Sequence, residues 1–316
     1  MNYLFAAIIA FAVSAIAAPL ILPLLIKLKF GQEIREEGPS WHSKKSGTPT
    51  MGGLIFIFAA SVSSVIMLIH SFKGIMLLYL SIAFGLIGFI DDYIKVAKKR
   101  NLGLTEIQKL VLQFVASLLF MWVLYKNGLV NTTLKIPFTD FAPDMGIWYI
   151  PFAVVVIIGS VNAVNLTDGI DGLATSVTII VCMFFAAASS FIGDNETGLF
   201  VTAVAGALAG FLLYNKPKAL VFMGDTGSLF LGGVVAAAAV VNGMTLFLAI
   251  AGLIYVIEAL SVIIQVSYFK LTGKRVFKMS PLHHHFEMCG WSEIKIDLVF
   301  CLVTVIFSAL AFAGLK

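Results

Sequence analysis

Charge is scarce in this chain of 316 residues: Asp, Glu, Lys and Arg make up 12% of it, against about 25% in an ordinary soluble domain. With 60% hydrophobic residues beside that shortage, a soluble globular fold is excluded, and so is disorder, which needs a chain poor in apolar residues. Cysteine is almost as sparse. Cys182, Cys289 and Cys301 form neither an even set nor a metal-binding spacing, so they read as packing residues rather than a disulfide framework or a zinc site. No internal repeat or low-complexity tract is visible, which counts against an inverted-repeat transporter. No polar stretch is long enough for a separate soluble domain, and 1–316 reads as a single transmembrane domain.

What the chain has instead is long apolar runs. At about 20 residues per span they allow roughly ten helices, near 3–27, 50–70, 73–93, 107–125, 147–163, 171–192, 197–213, 222–242, 245–269 and 295–315. The expected fold is therefore an all-α polytopic integral membrane protein in a lipid bilayer. The first run, Tyr3 to Ile26, lacks a basic leader and exceeds a signal-peptide core, although Ala15-Ile16-Ala17 mimics a cleavage site; it is expected to stay as the first span. Of the 21 lysines and arginines, all but Lys73, Lys126, Lys135 and Lys316 fall on one side of these spans. By the positive-inside rule both termini are expected outside the cytoplasm, with loops 28–49, 94–106, 164–170, 214–221 and 270–294 inside. The outward loop 126–146 alternates in part and holds Pro137 and Pro143, the pattern of a small hairpin.

The stretch around which the rest is organised is Asn162-Ala163-Val164-Asn165-Leu166-Thr167-Asp168-Gly169-Ile170-Asp171-Gly172. Two amides and two carboxylates at a spacing of three are costly at the end of a membrane helix, and polar groups there are usually functional. The segment reads as a helix that unwinds near Asn165 and restarts near Asp168, offering free N–H groups to an anion. A capped turn explains one acid and leaves Asn162, Asn165 and Asp171 idle.

Other polar motifs lie on the same side. Lys44-Lys45-Ser46-Gly47-Thr48-Pro49-Thr50-Met51-Gly52-Gly53 runs straight into a span and suits a phosphate-bearing ligand or, equally, a basic anchor with a turn. Asp91-Asp92-Tyr93 closes the third span, and these acids can bind a metal, act as a base or pair with Lys95. Asn215-Lys216-Pro217-Lys218 precedes Val221-Phe222-Met223-Gly224-Asp225-Thr226-Gly227-Ser228, where an acid at a helix start can hold Mg2+ or serve as an N-cap. His283, His284 and His285 are consecutive, so on a helix they point about 100° apart and cannot all ligate one ion; they read as phosphate donors or a proton carrier. Glu258, in mid-span, is either functional or a structural hydrogen-bonding group, and is left outside the site.

Asp91, Asp92, Asp168, Asp171 and Asp225 thus come from different loops yet share one side with most of the lysines. Oxygen ligands without thiolates favour Mg2+ or Mn2+, ions that work with substrate phosphates. The combination reads as phosphoryl transfer at a membrane surface, by charge neutralisation and alignment.

With these segments assembled, the chain resembles the phospho-N-acetylmuramoyl-pentapeptide transferase family, within the polyprenyl-phosphate N-acetylhexosamine-1-phosphate transferase superfamily. The resemblance covers the whole chain and rests on GTPTMGG at 47–53, DDY at 91–93, NAVNLTDGIDGLA at 162–174, VFMGDTGS at 221–228 and PLHHHFE at 281–287. It implies ten spans and a cytoplasmic-face site where UDP-MurNAc-pentapeptide reacts with undecaprenyl phosphate, giving lipid I and UMP with Mg2+. It further implies Asp225 as metal ligand, Asp91 as base or acceptor-phosphate partner supported by Asp92, and Asp168 and Asp171 on the nucleoside side; Asn162 and Asn165 of the same stretch are candidate substrate-binding residues. Phe222 would stack on uracil and Asn215 would meet the ligand near the diphosphate. Lys45, Thr50, Lys95, Lys99 and Lys109 would meet phosphate or sugar, with His283, His284 and His285 closing the site. A homodimer is implied as well, and nucleic acid is not expected as a partner. The competing readings are a related UDP-GlcNAc:polyprenyl-phosphate transferase, which typically lacks the triple histidine, and a cation-coupled transporter, which needs more mid-span polar residues than Glu258.

Overall fold

The structure is a computed structural model, and it describes residues 2–27, 47–98 and 102–315. Among the described residues twelve α-helices follow one another: α1 (Asn2–Lys27), α2 (Gly53–Leu68), α3 (Phe72–Ala97), α4 (Glu106–Lys126), α5 (Tyr149–Thr167), α6 (Leu173–Ile192), α7 (Asn195–Asn215), α8 (Gly224–Val241), α9 (Thr245–Ala251), α10 (Leu253–Thr272), α11 (Leu282–Met288) and α12 (Glu293–Ala313), with a short 3-10 turn, Gly146–Trp148, leading into α5. Among the described residues, 9 are long and apolar enough to cross a membrane. The tenth expected span is α2, whose 16 residues fall short of the roughly 20 that a straight crossing needs. The expected span 245–269 is divided into α9 and α10 at Gly252, where a Cβ would lie 2.8 Å from Tyr255 Cδ2 and 2.9 Å from the Leu248 carbonyl.

Polar side chains finish the helices where the chain leaves the apolar layer. Thr105 and Gln108 form a capping box on α4, Ser71 accepts from Gly74 N–H on α3, and Ser292 accepts from Lys295 N–H on α12. The 126–146 loop keeps one isolated antiparallel bridge, Thr133 with Asp144, so the expected hairpin is reduced to a pinch.

The core is built around α8, every residue of which from Thr226 to Val241 is buried. It packs on α3, α5 and α2, while α1 packs on α7. Small residues allow this: a Cβ on Gly88 of α3 would collide with the Asp225 carbonyl, so only glycine lets the two helices approach here. Large apolar side chains such as Leu20, Ile107, Val115 and Leu302 are left exposed on the outside of the bundle, as they are in a protein surrounded by lipid. The alternation of helix direction brings the ends of α3, α5 and α7 and the beginnings of α2, α4, α6, α8 and α12 to one end of the bundle, beside α11.

Candidate active site

At that end Asp91 and Asp92 leave the last turns of α3 and meet Asp225 from the first turn of α8. One oxygen from each carboxylate lies within 4.8 Å of the others. Asp91 and Asp92 are almost wholly buried. Two ammonium groups compensate them. Lys95 Nζ lies 2.6 Å from Asp91 Oδ2, 3.6 Å from Asp92 Oδ1 and 3.1 Å from Asp225 Oδ2. Lys109 Nζ, from the first turns of α4, lies 3.3 Å from Asp91 Oδ1 and 2.8 Å from Asp225 Oδ2.

Backbone groups fix the acids. Leu104 N–H donates to Asp91 Oδ1 at 2.8 Å, and Asp92 Oδ2 accepts from Thr226 N–H at 2.9 Å and from its hydroxyl at 2.8 Å. Asp92 thereby caps the start of α8, which is why α3 and α8 cannot slide past one another. Between them Gly224 sits at φ +69, and a side chain there would lie 2.5 Å from Asp92 Oδ2 and 2.7 Å from the hydroxyl of buried Thr50. The motif carrying Thr50 is tied on by backbone bonds, with Gly52 N–H donating to Phe222 O at 2.8 Å and Phe222 N–H to Pro49 O at 2.9 Å.

The segment 162–172 differs from its sequence reading in one respect. The helix does not unwind at Asn165; α5 continues to Thr167, the break spans 168–172, and α6 begins at Leu173 after Gly172 turns at φ +82. A continuous helix puts Asn162 and Asn165 on one face. Asn165 Nδ2 donates to Asp225 Oδ1 at 3.0 Å and to Ser228 Oγ at 2.7 Å, so it belongs to the carboxylate cluster. Asn162 donates to Gln113 Oε1 at 2.8 Å. Asp168 is half-buried just beyond the helix end. Loss of water first, and then the negative charges of Asp225, Asp92 and Asp171, push its carboxyl up to about 8.

Two candidates engage the protein itself. Asp171 Oδ2 accepts from Lys218 N–H at 3.1 Å and Ala219 N–H at 2.9 Å. Asn215 accepts from the Thr175 hydroxyl at 2.7 Å and donates to Val221 O at 3.0 Å. Both hold the 216–222 segment, on which Phe222 stands half-buried. The three histidines diverge as their helix position requires. His283 is fully buried, His284 pairs with Glu287 at 2.6 Å, and His285 Nδ1 accepts from Lys278 N–H at 3.1 Å. Lys45 and Lys99 lie outside the described residues.

Sequence reasoning passed over Gln113, Leu104 and Gly88. Gln113 left a usable signal, since Lys109 and Gln113 at i, i+4 make a polar stripe on an otherwise apolar helix; the other two act through the backbone and left none.

Chemically, three acids and two lysines leave one net negative charge, and all the acid ligands are oxygen. That donor set fits a hard divalent cation and, with it, phosphate oxygens. A multi-pass helical bundle with such a centre buried at one end has the build of a membrane-embedded protein that handles phosphate-bearing ligands. The family model described as glycosyl transferase family 4 matches residues 74–243, and phospho-N-acetylmuramoyl-pentapeptide-transferase signature 1 matches residues 45–57. The chain is 52% identical over 311 residues to the phospho-N-acetylmuramoyl-pentapeptide-transferase of Clostridium perfringens (strain 13 / Type A), covering 98% of each. It is 52% identical over 314 residues to that of Clostridium botulinum (strain Eklund 17B / Type B), with 98% of this chain and 95% of the relative covered. The transferase of Clostridium kluyveri (strain NBRC 12016) is 49% identical over 313 residues, with 99% of each covered. The chain belongs to the phospho-N-acetylmuramoyl-pentapeptide-transferase family.

Proposed function

We propose that the chain moves the phospho-N-acetylmuramoyl-pentapeptide group from its UDP-linked donor to undecaprenyl phosphate, giving lipid I and UMP at the cytoplasmic face of a bacterial cell membrane. An acceptor phosphate oxygen bonds to the sugar-bearing phosphorus of the donor, the pyrophosphate P–O bond breaks, and UMP leaves with the electron pair. The observation that carries this is the meeting of Asp91, Asp92 and Asp225 within 4.8 Å, bridged by two lysines. Asp91, Asp92 and Asp225 are the residues that would hold Mg2+. The ion would supply charge neutralisation and alignment of the diphosphate.

The protein's own groups do the rest. Lys95 and Lys109 meet phosphate oxygens, and Asn165 orients Asp225 through the bond to Oδ1. Asp91 faces the acceptor phosphate. A direct displacement needs no covalent enzyme intermediate, because the acceptor oxygen is already anionic. Asp168, Asp171 and Asn162 serve the nucleoside side, and Asn215 and Asp171 reach it by holding the segment that presents Phe222 to the base. Thr50 with Lys45 and Lys99 completes the basic and hydroxyl lining, and His283, His284 and His285 close it. The excess of lysine and arginine on this side supports the cytoplasmic orientation. A homodimer is the assembly the family resemblance suggests, and light scattering in detergent tests it.

The deciding assay uses radiolabelled UDP-MurNAc-pentapeptide, undecaprenyl phosphate and Mg2+, with and without chelator, and looks for UMP and a lipid-linked product. Product that requires the metal is the expected result. Product formed from UDP-GlcNAc instead would transfer the chain to the related sugar-phosphate enzymes, and no product from either would refute the reading.

A further inference from the structure

Glu258 has no role in the chemistry above, yet it is a carboxylate with no exposed surface, fourteen residues before the last residue of α10. A carboxylate so fully removed from water is retained only where the protein satisfies it. Its partners give the reason. Oε2 accepts from Leu282 N–H at 2.7 Å and Oε1 from His283 N–H at 3.1 Å, so both oxygens hold the first turn of α11. Oε2 also lies 3.2 Å from His283 Nδ1, off the axis of a full hydrogen bond but close enough to favour a proton on that nitrogen.

The other face of the imidazole is the informative one. His283 is completely buried, and its Nε2 finds no hydrogen-bond partner among the described residues. It abuts Gly169, where a Cβ would collide with Nε2 and Cε1. Gly169 sits between Asp168 and Asp171 in the turn that ends α5. A buried polar nitrogen without a partner is expensive, and here it is pressed against the turn that bears two of the site's acids.

We infer that Glu258 is a positioning residue: it clamps α11 and holds the His283 ring with Nδ1 toward its own carboxylate and Nε2 against the Gly169 turn, so that the turn bearing Asp168 and Asp171 keeps its place in the site. This rests on the transferase reading above only for the site's identity. Gly169 is the second half of the device, since its missing side chain is the space the ring occupies. Glu258 and Gly169 therefore act on the same imidazole from opposite sides.

The test uses the full chain in detergent with variants E258Q, G169A and the double variant. Both singles are expected to lower kcat by roughly tenfold or more, the scale on which a displaced group in a site slows turnover. Because they act through one ring, the double variant should be no slower than the slower single. In parallel, nitrogen-15 spectra of histidine-labelled protein, with the His283 signals identified by their loss in H283N, should report a proton on Nδ1 in the wild type and a changed tautomer ratio in E258Q. Wild-type kcat in E258Q, additive losses in the double variant, or an unchanged tautomer would each overturn the assignment. If E258Q does not fold, G169A carries the test, overturning the assignment if its kcat and its His283 tautomer are both those of the wild type. If the wild type turns over no MurNAc donor the transferase reading fails, and the tautomer spectra still decide the role of Glu258.

Discussion

At the end of the bundle away from the carboxylate cluster, Lys73 lies 3.2 Å from Asp194 and 3.5 Å from Glu196, Ser71 donates to Glu196, and Asp194 caps α7 through Thr197. At the site end Lys95 and Lys109 make shorter contacts with Asp91 and Asp225, at 2.6, 3.1 and 2.8 Å. The groups are alike, and their surroundings are not. Glu196 keeps 41% of its side chain exposed and Asp194 11%, whereas Asp91 keeps 1%, Asp92 4% and Asp225 19%, so the difference lies chiefly in Glu196 against Asp91 and Asp92. Water screens the first network, which ties helix ends together and contributes little energy. In the second, three acids are gathered where solvation cannot pay for them, so their charge is available to a ligand.

The sharpest way to break the comparison is to remove one acid from the site end. Asp225→Asn should cost about 10²- to 10³-fold or more in turnover even in excess Mg2+, measured as UMP release at equal amounts of folded protein. Next comes the packing that makes the gathering possible. Gly88→Ala puts a methyl group into the Asp225 carbonyl and should destabilise the protein by about 1–3 kcal/mol or more, read as a lowered melting temperature with weakened activity.

A smaller effect is expected from Asp168. Its carboxyl holds a proton in the folded, metal-free protein up to about 8 but releases it near 3.8 when unfolded, so the folded state binds more protons between those values. In chelator, the contribution of Asp168 to stability is full below the unfolded value and is lost as pH rises through the folded one. Asp168→Asn should flatten that slope in thermal melts across the range. The least effect belongs to the opposite end. Lys73→Ala should cost under about 1 kcal/mol and leave kcat unchanged, which distinguishes a tie between helix ends from a site.

The sequence made the helices legible, because apolar runs interrupted by Lys, Gly and Pro mark spans whatever they pack against. It also made the acids legible, since Asp91, Asp92 and Asp225 have no reason to sit at apolar helix ends unless they meet. What it hid depends on three-dimensional approach. Gly252 reads as one more small residue in an apolar run, and only the structure shows its backbone leaving the helical region there at φ −95 and ψ 31. The run Asn162 to Thr167 carries enough polar residues to suggest unwinding, yet Gln113 and Ser228 satisfy its amides from neighbouring helices and let α5 continue. Glu258 was visible as an oddity, and only the fold supplies the two N–H groups that explain it.

The central claim is that Asp91, Asp92 and Asp225 form a ready-made seat for one hard divalent cation, and Mn2+ binding followed by electron paramagnetic resonance tests it without requiring turnover. The account predicts one saturable Mn2+ site per chain, displaced by Mg2+ and lost in D91N, D92N and D225N alike. Undiminished Mn2+ binding in D225N would contradict it.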